Sequence, residues 1–210
     1  MSFRMIGKYL QDGSLVHKVN HRKQTPEDNL DDICSGFFNS VGLSKAELMS
    51  IFNDCVKIAD QSYELAFIAE LIITEVSEES AAIAVYHKAE EISETACDYY
   101  VLAGSILEYL QDLSWGLELY EKAIVIVEDD PDLFDCIFLA EVYCKNIPDY
   151  IRSRKLYELA EQCAITMKDF KYLADSILKN LNDEQWYLQL IEKAHSFNIF
   201  PIMMDDICMN

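Results

Sequence analysis

Glycine and proline are nearly missing from this chain, 6 and 4 of 210 residues. An all-β fold needs turn residues roughly every 8–12 positions, so that class is excluded and a helical one expected. Basic residues are also scarce. Seventeen Lys/Arg stand against 37 Asp/Glu, a net charge of −20 with a pI near 4.4. Such a field repels phosphates and anionic lipid heads and attracts basic protein surfaces, so no nucleic-acid or membrane partner is expected. A Glu-rich surface kept for solubility is the competing explanation of the same charge. No run approaches the ~18 apolar residues of a membrane span, and the first residues, MSFRMIGKYLQDGS, have no signal-peptide core. Seven cysteines (Cys34, Cys55, Cys97, Cys136, Cys144, Cys163 and Cys208) include no C-x-x-C pair. Most sit among apolar residues as small hydrophobes, which fits a reducing cytoplasm.

Chemical motifs are missing too. There is no Gly-rich phosphate loop, nucleophile elbow or H-E-x-x-H, so no catalytic residue and no cofactor is expected. His17 and His21 are four apart, but no second ligand pair accompanies them. Glu128, Asp129, Asp130 and Asp132 lack the Gly that shapes an EF-hand loop and read as a solvated connection. The charge is uneven. Residues 1–23 carry Arg4, Lys8, Lys18, Arg22 and Lys23 against Asp12 alone, a basic arm ahead of an acidic body. The arm has three readings: disordered, folded onto the acidic body as a lid, or docked on a separate acidic partner.

What the chain does have is an internal repeat, half concealed by divergence. DLSWGLELYEKA (112–123) returns 71 residues later as DEQWYLQLIEKA (183–194). Taking the final Ala as anchor, four positions align: Ala89, Ala123, Ala160 and Ala194. A second row, Ala69, Ala103, Ala140 and Ala174, precedes the first by 20 residues throughout. The apolar residues between keep helical spacing. An acid stands eleven positions before each anchor, Glu78, Asp112, Asp149 and Asp183, where it can cap a helix start. The spacing predicts helix pairs at 62–76 with 78–94, 97–110 with 112–128, 132–146 with 149–165, and 168–181 with 183–197. Thr25-Pro26 and the capping box Ser44-Lys-Ala-Glu47 predict a divergent N-terminal pair near 26–40 and 44–60.

The second helices carry small-x-x-x-aromatic-x-x-Ala: Ala82, Tyr86, Ala89; Gly116, Tyr120, Ala123; Ser153, Tyr157, Ala160. With its period of 34, 37 and 34 residues, this resembles a degenerate tetratricopeptide repeat, Sel1-like repeats being a close alternative. The fourth unit departs at two places, with Tyr187 and Ile191 before Ala194. The family's Leu-Gly pair is replaced by Ala69-Glu70, Ala103-Gly104, Ala140-Glu141 and Ala174-Asp175. The resemblance implies an all-α, right-handed α-solenoid of antiparallel helix pairs. Its divisions are a basic arm (1–24), an N-terminal pair (25–61), four repeats (62–96, 97–130, 131–167 and 168–198) and a tail (199–210).

Tetratricopeptide arrays bind proteins along the face of their first helices. Carried over, that face has an acidic row, Glu64, Asp98, Asp135 and Asp169, and an apolar row, Phe67, Val101, Phe138 and Tyr172. Further rows are Leu71, Ser105, Val142 and Ser176, then Thr74, Glu108, Lys145 and Lys179. Acids beside aromatics suit a basic amphipathic segment, although acids at helix starts also serve the helix dipole alone. The expected function is a non-enzymatic interaction module for a basic protein, of the immunity or antitoxin kind that masks a cationic effector. The alternatives are an adaptor or chaperone for a secreted or assembling client, a peptide-sensing regulatory domain, and an enzyme with a dispersed carboxylate site. Self-association through the last unit remains open.

Overall fold

The computed structural model describes residues 44–196. The basic arm, the helix expected near 26–40, His17, His21 and the tail lie outside the described residues. Those described form nine α-helices and no strand: α1 (Lys45–Ile58), α2 (Ser62–Leu71), α3 (Glu79–Glu91), α4 (Ala96–Tyr109), α5 (Leu113–Asp129), α6 (Leu133–Lys145), α7 (Tyr150–Cys163), α8 (Met167–Leu181) and α9 (Glu184–Ser196). None is long and apolar enough to cross a membrane. The chain divides into two compact units, Met1–Lys122 and Ala123–Asn210, with the division inside α5.

The expected helix pairs are present to within a few residues at each end. In the first unit α2 packs against α3 and against the first helix of the next pair, α4. In the second, α6 packs on α7 and α8, and α8 on α9. The two alanine rows explain how closely. All eight anchors, Ala69, Ala89, Ala103, Ala123, Ala140, Ala160, Ala174 and Ala194, have no exposed surface at all. A methyl is the largest group that these positions admit without overpacking. Around them the core is filled by Ile68, Leu102, Ile106 and Leu119 in the first unit and Ile137, Leu139, Leu156 and Leu173 in the second, each at most 2% exposed.

Helix starts follow local chemistry. Ser44 closes the expected capping box on α1: its side chain accepts from Glu47 N, and Glu47 Oε2 accepts from Ser44 N at 2.8 Å. Of the four acids eleven before the anchors, the three aspartates cap. Asp112, Asp149 and Asp183 each accept from the backbone N–H three residues on, at 3.0 Å. Glu78 differs: its side chain makes no capping bond at the start of α3. Its extra methylene carries the carboxylate past the geometry that Asp reaches. The sequence also conceals a π-helical turn at Ile72–Val76, which continues α2. It ends on Ser77 at φ 63°, with Ser77 N–H bonded to Ile72 O at 3.0 Å.

The small residue in the second helix has a physical role at Gly116. A Cβ there would stand 2.5 Å from Leu107 Cγ. Gly116→Ala gains about 1 kcal/mol of helix propensity but forces the half-buried Leu107 side chain off its position, and overpacking of this kind typically costs ~1–3 kcal/mol. The expected result in urea denaturation is a net loss of stability, reversed in part by adding Leu107→Ala. A stabilised Gly116→Ala would mean that helix propensity, not close approach, governs this position.

Candidate protein-binding site

The acids expected to line a groove are first of all parts of helix starts. Glu64 is the third residue of α2, and its Oε2 accepts from Asp60 N at 3.2 Å and Gln61 N at 3.3 Å. Asp98 in α4 accepts from Glu94 N, Thr95 N and the Thr95 hydroxyl, at 3.2, 2.9 and 2.8 Å. Asp169 in α8 accepts from Ile165 N and Thr166 N at 3.1 and 2.8 Å. Asp135 occupies the same register in α6, where Asp132 does the capping, accepting from Phe134 N at 2.9 Å and Asp135 N at 3.3 Å. All four are half-buried. Capping uses lone pairs of Glu64, Asp98 and Asp169 but leaves their charge in place, so in each unit the starts of the first helices are anionic.

In the apolar row, Phe67, Val101 and Phe138 are half-buried and Tyr172 is 38% exposed. The structure adds a residue that sequence reasoning missed. Phe134, 43% exposed on α6, lies against Tyr172 of α8, ring centroids 5.7 Å apart and planes tilted by 54°. Tyr63, the counterpart of Phe134 in the first unit, is 47% exposed. The signal was available: the dipeptides Tyr63-Glu64 and Phe134-Asp135 recur at the spacing of the tryptophan motif.

That spacing relates far more than one motif. In the first unit Trp115 Nε1 donates to Glu90 Oε2 at 2.9 Å, Lys122 donates to Glu90 Oε1 at 2.6 Å, and Tyr86 meets Trp115 edge-on at 6.3 Å. In the second, Trp186 Nε1 donates to Glu161 Oε2 at 2.7 Å, Lys193 pairs with Glu161, and Tyr157 meets Trp186 edge-on at 6.3 Å. Burial tends to raise the Glu90 carboxyl, but hydrogen bonds from Lys122 and Trp115 outweigh it and leave it below its ordinary value. The tryptophans thus fasten one helix pair to the preceding second helix through a shared carboxylate.

A buried polar chain is duplicated as well. Ser105 donates to Glu70 Oε1 at 2.7 Å and bonds the Tyr86 hydroxyl at 2.7 Å. Ser176 donates to Glu141 Oε1 at 2.8 Å and bonds the Tyr157 hydroxyl at 2.9 Å. The copies differ in charge. Glu141 pairs with Lys145 at 2.6 Å, one turn along its helix. Thr74 stands at that place after Glu70. Glu70 is 8% exposed, and burial first, with Glu108 adding to it, pushes its carboxyl up to about 7 against the pull of Ser105. Among the described residues no group of three or more His, Cys, Asp and Glu is arranged to hold a metal ion. Burial pushes the Cys136 thiol up to about 12, which keeps it protonated and unreactive. Comparison with protein-family models, characterised proteins and solved structures gave no match for the chain.

Proposed function

We propose that this protein is a non-enzymatic, tetratricopeptide-like interaction module, its helix pairs stacked as a right-handed solenoid, which binds a basic amphipathic segment of a protein partner on the first-helix face. One observation carries the reading. The exposed aromatic pair Phe134 and Tyr172 lies beside helix N-termini bearing Asp135 and Asp169, on a chain of net charge −20. Aromatic anchors supply most of the energy at such interfaces, and surrounding carboxylates steer and select a cationic partner. The biological use that this chemistry suits is masking of a cationic effector in the cytoplasm, as immunity or antitoxin-type proteins do.

The acids are poor first targets for mutation, since Asp98 and Asp169 hold capping boxes and their loss weakens the fold itself. Phe134→Ser with Tyr172→Ser is cleaner, because both side chains are exposed. Binding of a basic partner recovered by pull-down, or of a Lys/Arg-rich amphipathic probe peptide, should weaken about tenfold or more in this variant. Thermal stability should fall only modestly, because each ring is already about two-fifths exposed. The same binding should fall steeply between low and high salt. Affinity indifferent to both the double substitution and the salt would overturn the reading.

A further inference from the structure

The cavity before Trp115 carries a second conclusion, because the other unit contains its occupied counterpart. In the second unit Arg154 lies over the Trp186 ring, its guanidinium carbon 4.8 Å from the centroid. Arg154 Nη1 donates to Asp183 Oδ2 at 3.1 Å, and its Nε stands 3.5 Å from Glu158 Oε1. Asp183 Oδ1 meanwhile accepts from Trp186 N at 3.0 Å. That backbone bond, with Arg154, holds the Asp183 carboxyl below its ordinary value. The site is therefore a guanidinium cradle of an indole face and a helix-capping aspartate, filled by the chain's own arginine.

In the first unit the cradle recurs and its occupant does not. Trp115 stands for Trp186, and Asp112 for Asp183, with Asp112 Oδ1 accepting from Trp115 N at the same 3.0 Å. The position of Arg154 is held by Ile83, and an open cavity of about 500 Å³ lies there, lined by Glu79, Ile83, His87, Asp112, Trp115 and Glu118 among others. Where Glu158 becomes His87 a carboxylate is lost, and Glu79 and Glu118 join the lining, Glu118 also 3.4 Å from Lys122. The indole face already receives a planar nitrogen ring: His87 stacks on Trp115 at 4.4 Å and 29°. Its side chain is 60% exposed, and an incoming guanidinium would take its place on the ring.

We infer that the Trp115 cavity is an arginine-binding site, which takes a guanidinium from the basic partner in the place that Arg154 occupies beside Trp186. The inference rests on the basic-partner reading and names one of its contacts. A flat, delocalised cation stacks on indole and forks onto a carboxylate, which an ammonium does less well. The site therefore selects Arg over Lys.

Chemical-shift titration of the ¹⁵N-labelled full-length chain with a terminally blocked tetra-arginine peptide tests it, since the chain has only two indole N–H signals to follow. The Trp115 signal should move and that of Trp186 stay, with a tetra-lysine peptide needing at least about threefold more for the same shift. Ile83→Arg, which rebuilds the filled cradle, should keep the protein folded and weaken peptide binding about tenfold or more. Asp112→Asn, which keeps a good helix cap, should weaken it as well. A peptide that binds while the Trp115 signal stays, or an Ile83→Arg variant that binds like the parent, overturns the cavity and leaves the basic-partner reading standing. Blockade by Ile83→Arg, with full affinity retained when Phe134 and Tyr172 are both replaced by Ser, supports the cavity and overturns the first-helix face.

Discussion

Replacing Glu70 with Gln should stabilise the protein at pH 8 by about 3 kcal/mol and leave it nearly unchanged near pH 4.5. Glu70 is buried, and its carboxyl is pushed up to about 7 from an ordinary 4.5. A raised folded-state pKa means that the fold prefers the protonated form. The stability contributed by that proton is fully present below about pH 4.5 and is lost as pH rises through about 7. A shift of this size is worth about 3 kcal/mol at 1.36 kcal/mol per pH unit. Gln keeps the shape and an acceptor for Ser105 but carries no charge to bury. The measurement is the difference in unfolding free energy between variant and parent from pH 4.5 to 8, which cancels the titration of the other carboxylates. A flat difference would show that Glu70 titrates as an exposed glutamate does.

The groups facing Glu70 decide that value. Ser105 donates to it and Tyr86 bonds Ser105 in turn, while Glu108 and Tyr109 bring no positive charge. In the second unit Lys145, at the place of Thr74, pairs with Glu141, and Lys179 takes the sequence place of Glu108. Glu141→Gln therefore breaks the ion pair with Lys145 and should bring no comparable gain at pH 8.

This contrast marks how far the sequence could be read. The alanine rows and helix pairs were legible because close approach tolerates only small side chains, and so writes a periodic signal that survives divergence. The rows through Ser105 and Ser176, and through Thr74, Glu108, Lys145 and Lys179, were visible too. Their meaning was not, since it depends on Ser105 reaching a carboxylate 35 residues back. Glu70 itself read only as the replacement of a family glycine. The acidic row is legible in the sequence as a row, yet three of its members spend hydrogen bonds on their own helix starts. The motifs Thr95-x-x-Asp98 and Thr166-x-x-Asp169 spell out that capping role. Phe134 passed unseen, and so did Arg154: a surface arginine beside a helix acid looks like any solvated charge until its place over an indole is known.

The two tryptophans should respond unequally to the same substitution. Trp186 is 7% exposed and carries three attachments: its N–H to Glu161, Tyr157 at its edge and Arg154 over its face. Trp186→Ala should cost about 3–5 kcal/mol, the usual loss for a large buried aromatic. It also leaves the Arg154 and Glu161 charges without the ring that shields them. Trp115 has the same N–H bond and the same tyrosine at its edge, but it is only half-buried and faces the open cavity. Trp115→Ala should therefore cost less, by the apolar area that Trp115 leaves in water. Chemical denaturation of the two variants side by side measures this, and equal losses would show that the Trp115 ring is as fully packed as its counterpart. The inequality has a local origin: Arg154 completes one copy of the motif internally, whereas in the other Ile83 takes its place and His87 stacks on the indole beside an open cavity.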